Sequence, residues 1–172
     1  RVISAKKRSF HPTALRIATC HGYSPRMRFD LVANGLIRDA VCRRKIVIYS
    51  GEQWRSLIHV DDAARAFVSC IKAHENLISG EIFNVGNQNE NLQVNHLVNI
   101  VRTMVPETEV DILEGEPDLV NYHLSSAKIG KILDFAPRWT LEASIAELKE
   151  MLQGEVFKDP YDLRYQNTLH RD

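Results

Sequence analysis

The chain of 172 residues has only three cysteines, Cys20, Cys42 and Cys70, far apart and never spaced as CxxC. An odd, scattered set argues against a disulfide framework and for a reducing compartment, so a cytoplasmic location is expected. No apolar run approaches the roughly 18 residues of a membrane span, and no membrane association is expected. Charge of one sign is missing as well, because 22 Lys and Arg balance 22 Asp and Glu. Without a net field there is no electrostatic footprint for nucleic acid. The seven histidines never fall as HxH or HxxxH, which leaves a metal site without support.

Two further absences bear on chemistry. The eight glycines contain no GxGxxG, the loop that cradles dinucleotide phosphates between a strand and a helix. None of the five tyrosines is followed four residues later by Lys, a pair some oxidoreductases use for proton transfer. The start, Arg1-Val2-Ile3, carries neither an initiator Met nor a basic-then-apolar leader, and reads as cut from something longer.

What is present is ordinary for a globular protein. Hydrophobic residues make up 44% and charged residues 26%, enough for one domain with a real core. The run Thr13 to Thr19 reads as a strand, followed by a turn-rich loop from Cys20 to Arg26. Apolar residues at 29, 32, 33, 36, 37, 40 and 41 give the period of a helix over 29–42. Strands are expected at 45–49, 56–60, 81–85 and 110–113. Helices are expected at about 61–74, 93–105, 126–133 and 141–153. Residues 1–8 read as a helix tail, 87–91 as a polar loop, and the polar tail from Gly154 is assigned no structure. Alternating strands and helices of these lengths predict an α/β fold.

The most informative run is Arg55-Ser56-Leu57-Ile58-His59-Val60-Asp61-Asp62. A cation beside a short strand, with a helix start just beyond, suits an anionic ligand such as a diphosphate. An ordinary strand-end Arg fits equally. Asp61 and Asp62 are suited to capping the following helix and complementing its dipole, with His59 a structural residue. Gly35 inside a helical run costs about 1 kcal/mol relative to Ala, which signals a helix break or a close ligand approach.

Four blocks carry a resemblance. Leu15-Arg16-x-Ala18-Thr19-x-x-Gly22-x-Ser24-Pro25-Arg26, the run Trp54-Arg55-x-Leu57-Ile58-His59-Val60-x-Asp62, the strand Gly80-Glu81-Ile82-Phe83-Asn84-Val85-Gly86 and Trp139-Thr140-Leu141 occur in that order. Together they resemble extended short-chain dehydrogenase/reductases, closest to the nucleotide-sugar epimerases and dehydratases. The resemblance implies a C-terminal part of a Rossmann-type fold with a small α/β substrate-binding lobe. Residues 1–172 would then be the C-terminal half, last Rossmann strands interleaved with the substrate-binding subdomain. The cofactor-binding half, with its glycine loop and Tyr-x-x-x-Lys pair, would lie upstream.

By that resemblance the complete protein is an NAD(P)-dependent epimerase, dehydratase or reductase acting through a transient keto-sugar. Its cofactor is NAD or NADP, and its partner a nucleotide-diphosphate sugar. A homodimer through upstream helices is also implied. Arg55 would contact the diphosphate, Val47 and Tyr49 the base, and Asn34, Gly35 and Leu36 the diphosphate through amide and backbone. Thr19 would face the sugar, and Ile17 and Ala18 the nicotinamide. Asp118 and Tyr122 match an Asp-x-Arg-x-Tyr loop in which Val120 stands where Arg is expected. No residue of this segment is assigned a catalytic role. Arg26, Arg28 and His123 are candidates for the missing cation. Its loss also admits a non-catalytic sugar-nucleotide or NAD(P)-binding regulator on the same fold.

Overall fold

The computed structural model describes residues 3–5, 10–114 and 121–167. Among the described residues, seven short strands and six helices are interspersed. They are β1 (Ala14–Ile17), β2 (Thr19–His21), α1 (Val32–Arg43), β3 (Lys45–Tyr49), β4 (Trp54–His59), α2 (Val60–Lys72), α3 (Glu75–Ile78), β5 (Ile82–Val85), β6 (Asn91–Gln93), α4 (Val94–Met104), β7 (Glu109–Leu113), α5 (Ala127–Leu133) and α6 (Leu141–Gln153). β1 pairs parallel with β5, β2 parallel with β4, β3 parallel with β7, and β6 antiparallel with β4. The predominance of parallel pairs with helical crossovers bears out the α/β expectation.

β4 divides the interior. Successive side chains of a strand point to opposite faces. Leu57 accordingly enters a core with Ile37, Ile46, Leu97, Val101, Ile145 and Leu148, on the side of α1, α4 and α6. Its neighbour Ile58 enters a second core with Ala66, Phe83, Val85 and Ile129, on the side of α2, α5 and β5. A strand buried on both faces need not alternate polar and apolar residues, and the adjacent apolar pair Leu57 and Ile58 enters the two cores in turn.

Strand 45–49 and helix 141–153 fall where the periodicity puts them. The first helix starts at Val32 rather than at 29, because Phe29 and Asp30 are held in a loop by the C-terminal tail. The expected helix tail at 1–8 is a single 3-10 turn over Ile3–Ala5 among the described residues, and residues 6–9 lie outside them. The stretch read as a polar loop at 87–91 contains a 3-10 turn (Gln88–Glu90) and leads into β6.

The tail corrects the sequence reading most. From Phe157 to Tyr165 it folds back on α1, with Phe157 in the first core. The rings of Phe29, Phe157 and Tyr165 meet at centroid distances of 5.2–5.7 Å. Tyr161 lies between the guanidinium groups of Arg38 (4.2 Å) and Arg43 (3.7 Å), and its hydroxyl donates to Asp39 at 3.0 Å. Burial first, then Asp39, pushes the Tyr161 hydroxyl well above the usual phenol range, so it stays a donor. Such contacts between polar and aromatic groups have no period, and no pattern search finds them.

The helix start at Val60 differs from expectation as well. His59, not an aspartate, caps α2, its ring nitrogen accepting from the Asp61 N–H at 3.1 Å. Asp62 is fully buried and turned away from the helix end. It accepts from the backbone N–H groups of Arg138 (2.8 Å) and Trp139 (2.9 Å) and from Arg65. The carboxylate thus pins the turn that leads into α6.

Candidate functional site

Two adjoining cavities gather the candidate residues. The first, of about 430 Å³, is lined by Ile17, Ala18, Thr19, Asn34 and Tyr122 together with the loop residues that follow β2. The second, of about 380 Å³, is lined by Gly35, Leu36, Val47, Tyr49 and Arg55 among others. Leu31, the residue that precedes α1, belongs to both walls. Ten of the eleven candidates therefore line one or other of two cavities that share Leu31. Asp118 lies outside the described residues.

β1, β2 and α1 form the first cavity. Thr19 opens β2, and its hydroxyl lies 3.1 Å from that of Tyr122, far along the chain. Tyr122 arrives there because residues 121–126 run across β4 and β6. Asn121 accepts from the Trp54 N–H at 3.0 Å, and Asn91 bonds both backbone groups of Leu124. The His123 ring packs on Trp54 at 4.1 Å. Two hydroxyls meeting in a cavity provide paired donors and acceptors for another hydroxyl compound.

Below them the floor is built from histidines. Gly22 has φ +95°, and a Cβ there would lie 2.1 Å from Nε2 of His59. The His59 ring stacks on Trp139 at 4.0 Å with an interplanar angle of 6°. Its Nδ1 accepts from a backbone N–H, so Nε2 carries the proton and donates to Glu147 at 3.3 Å. Burial lowers the His59 pKa in spite of that carboxylate, so the ring is neutral near pH 7. His21, fully buried, meets Glu90 at 2.9 Å. These rings support the cavity floor through packing and hydrogen bonds.

Asn34 does not project a free amide. Its Oδ1 accepts from the Gly22 N–H at 3.2 Å and its Nδ2 donates to the Arg28 carbonyl at 3.1 Å. The side chain braces the loop across the cavity instead of reaching into it. Cys20 also lines this cavity, and burial raises its thiol pKa against the opposing pull of Arg28. A protonated thiol is a poor nucleophile, so no activated cysteine lies here.

The second cavity belongs to α1, β3 and β4. Helix α1 runs unbroken through Gly35, and the close approach that its missing side chain permits is to its own chain. A Cβ at Gly35 would come within 2.8 Å of the Phe29 carbonyl oxygen. Val47 and Tyr49 alternate along the exposed face of β3. Arg55 is buried, and its guanidinium donates to the Trp54 carbonyl at 3.0 Å. That bond helps to hold the guanidinium beside the cavity, and a guanidinium fork matches planar oxygen pairs.

Among the described residues no group of three or more His, Cys, Asp or Glu could hold a metal ion. No described helix is long and apolar enough to cross a membrane. The sequence reading did not place Gly22, His21 or Ser24 on the cavity wall. The signal was there in the turn residues after β2, where a glycine between two apolar segments marks a backbone that needs positive φ.

Residues 2–86 match the model of the NAD dependent epimerase/dehydratase family. Among solved structures, the fold is similar to a UDP-glucuronic acid 4-epimerase from Bacillus cereus, in complex with UDP-glucuronic acid and NAD. That match has a TM-score of 0.70 and 22% identity, over 81% of this chain and 44% of that one. A dTDP-glucose 4,6-dehydratase from Bacillus anthracis str. Ames, in complex with NAD, matches with a TM-score of 0.68 and 19% identity, over 83% and 45%. RMD from Pseudomonas aeruginosa, complexed with NADPH, matches with a TM-score of 0.69 and 13% identity, over 82% and 48%. The chain thus spans about half the length of the structures it resembles.

Proposed function

Because residues 2–86 match the NAD dependent epimerase/dehydratase family model, we propose that the whole protein is an NAD(P)-dependent nucleotide-sugar epimerase or dehydratase. The residues described above would supply its grip on the sugar nucleotide. The observation that carries this is the pair of cavities that meet at Leu31, with Thr19 and Tyr122 in one and Tyr49 and Arg55 in the other. A ligand with a sugar, a diphosphate and a base offers hydroxyls, an anion and an aromatic ring to match them.

In this proposal the Arg55 fork holds phosphate oxygens, and Val47 and Tyr49 form the wall beside the base. The Thr19 and Tyr122 hydroxyls orient the sugar. Gly35 and Leu36 border the diphosphate, while Asn34 holds the loop that closes the first cavity. Residues 1–172 would form the C-terminal half of the protein, with the substrate-binding subdomain interleaved with the last Rossmann strands.

A nicotinamide cofactor fits these residues only in part. Ile17 and the small, buried Ala18 provide an apolar wall of the kind an aromatic ring can approach. The glycine spacing that would cradle its phosphates does not occur in the sequence. When bound, the cofactor would exchange a hydride with the sugar. The cradle and the proton-transfer pair are assigned to the other half, and no residue here is assigned a proton to move.

The test is to incubate the full-length protein with UDP-, dTDP- and GDP-sugars, measuring binding calorimetrically and following product and nicotinamide absorbance. The proposal expects saturable binding and turnover of one of them. Binding without turnover would favour a sugar-nucleotide sensor on the same fold. Binding of none would overturn the reading.

A further inference from the structure

The stretch from Arg26 to Leu31 carries part of the wall of each cavity. Arg26, Arg28 and Leu31 line the first, and Phe29, Asp30 and Leu31 line the second. The stretch belongs to no strand, and α1 begins only at Val32. Three bonds hold it from the far end of the chain. The Phe29 N–H donates to the Tyr165 carbonyl (2.9 Å), the Arg26 guanidinium to Oδ1 of Asn167 (2.8 Å), and the Asn167 N–H to the Asp30 carboxylate (3.1 Å). The rings of Phe157 and Tyr165 close on Phe29 beside these bonds. Tyr161 adds its bond to Asp39, another residue of the second cavity.

No residue of 157–167 lines either cavity, so this segment bears on a ligand only through the residues it holds. The segment is itself lightly fastened. Its regular structure is one 3-10 turn over Leu163–Tyr165, and the main-chain bonds of Asp162, Tyr165 and Gln166 close within it. Among the described residues, the bond from Phe29 is the one main-chain bond that joins 157–167 to the rest. Segments with so few backbone bonds open at a lower free energy than strands and helices of a core.

We propose that residues 157–167 are a strap that positions the wall shared by the two cavities, so that ligand binding and docking of the strap favour each other. The inference rests on the nucleotide-sugar reading above. When the strap lifts, Arg26, Phe29 and Asp30 lose the bonds that hold them, and a ligand in contact with both cavities binds the docked form better. Such coupling is reciprocal. The factor by which undocking weakens the ligand is the factor by which the ligand disfavours undocking.

The test takes the full-length protein with UDP-glucuronic acid, dTDP-glucose and GDP-mannose, and continues with the tightest of them. Amide hydrogen exchange of residues 162–167 should slow about tenfold at saturation, within the range usual for coupled sites. The same protein ended at Asp159, which keeps Phe157 in the core, should bind with Kd raised by the same factor. Asn167→Ala removes only the side-chain bond to Arg26 and should fall between that and the wild type. A segment that merely stabilises the fold would lower the unfolding midpoint of the shortened protein but leave strap exchange and affinity unchanged. Either unchanged value overturns the inference and leaves the proposed function standing. If the shortened protein fails to fold, exchange in the wild type decides alone. A wild-type protein that binds none of the three overturns the reading beneath.

Discussion

The two halves of the groove are built by different means. The second cavity is walled by α1, β3 and β4, elements whose side chains point where helix and strand periods put them. The first is walled by β1, β2 and the start of α1 together with the loop after β2 and the crossing residue Tyr122, and that loop and crossing segment are held by single hydrogen bonds between residues far apart in sequence. Periodic walls follow from burial alone, since an error in one side chain leaves the backbone in place. A wall of loops depends on individual donors and acceptors, and each lost partner moves the backbone that carries the site. The first cavity should accordingly be the more fragile and the second the more tolerant.

The sharpest way to break the first cavity is at its floor. Gly22→Ala must place a methyl group 2.1 Å from the His59 ring with the backbone at φ +95°. We expect a loss of roughly 3 kcal/mol or more in denaturant unfolding, because steric overlap and backbone strain act together. A loss below about 1 kcal/mol would show that the His59 ring is free to move away. Next in size is Asp62→Ala, which strips the buried carboxylate acceptor from the Arg138 and Trp139 N–H groups. That should cost about 2–3 kcal/mol, with Asp62→Asn in between.

The second cavity is tested through binding. Arg55→Ala should weaken the nucleotide sugar at least tenfold, about 1.4 kcal/mol. The control is the free nucleoside, whose affinity should not change. In the tail, Tyr161→Phe removes the bond to Asp39 but keeps the ring between Arg38 and Arg43. A loss of about 1 kcal/mol is expected.

The smallest effect is a pH dependence confined to the first cavity. His59 has a pKa lowered from 6.5 chiefly by burial, with Glu147, Asp61 and His21 around it. A group that binds its proton less well folded than unfolded favours the folded state at higher pH. Its contribution is complete above about 6.5, the unfolded value, and declines as pH falls below that toward the lower folded value. Unfolding curves across this window should show the decline in the wild type and a flatter profile in His59→Gln.

Legibility in the sequence follows the same division. Lys45–Tyr49 and Leu141–Gln153 could be read from period alone, because each buries one stripe against a core. Arg55, Tyr49 and Val47 were assigned to one ligand only through the family resemblance, although they lie on strands that follow one another in the chain. The approach of Tyr122 to Thr19 was not read from the sequence, since nothing local to either residue implies the other and the resemblance assigned each to the site separately. β6 was missed because Asn91 and Gln93 have no apolar alternation, and side-chain bonds to Ser56 and Glu52 hold them there. The tail was missed because its anchors are aromatic rings on guanidinium groups and isolated backbone bonds. Asp62 was legible as a structural acid at a helix start, read as a cap, but not as the acceptor for a turn more than seventy residues away.

The central claim is that one ligand lies along both cavities, bridging them at Leu31. A crystal structure of the full-length protein with its preferred nucleotide sugar tests it most directly. The account predicts the sugar beside Thr19 and Tyr122, phosphate oxygens on Arg55 and the base against Val47 and Tyr49. A nucleotide sugar seated outside this groove, or one that fills a single cavity and leaves Arg55 without a phosphate contact, would contradict it.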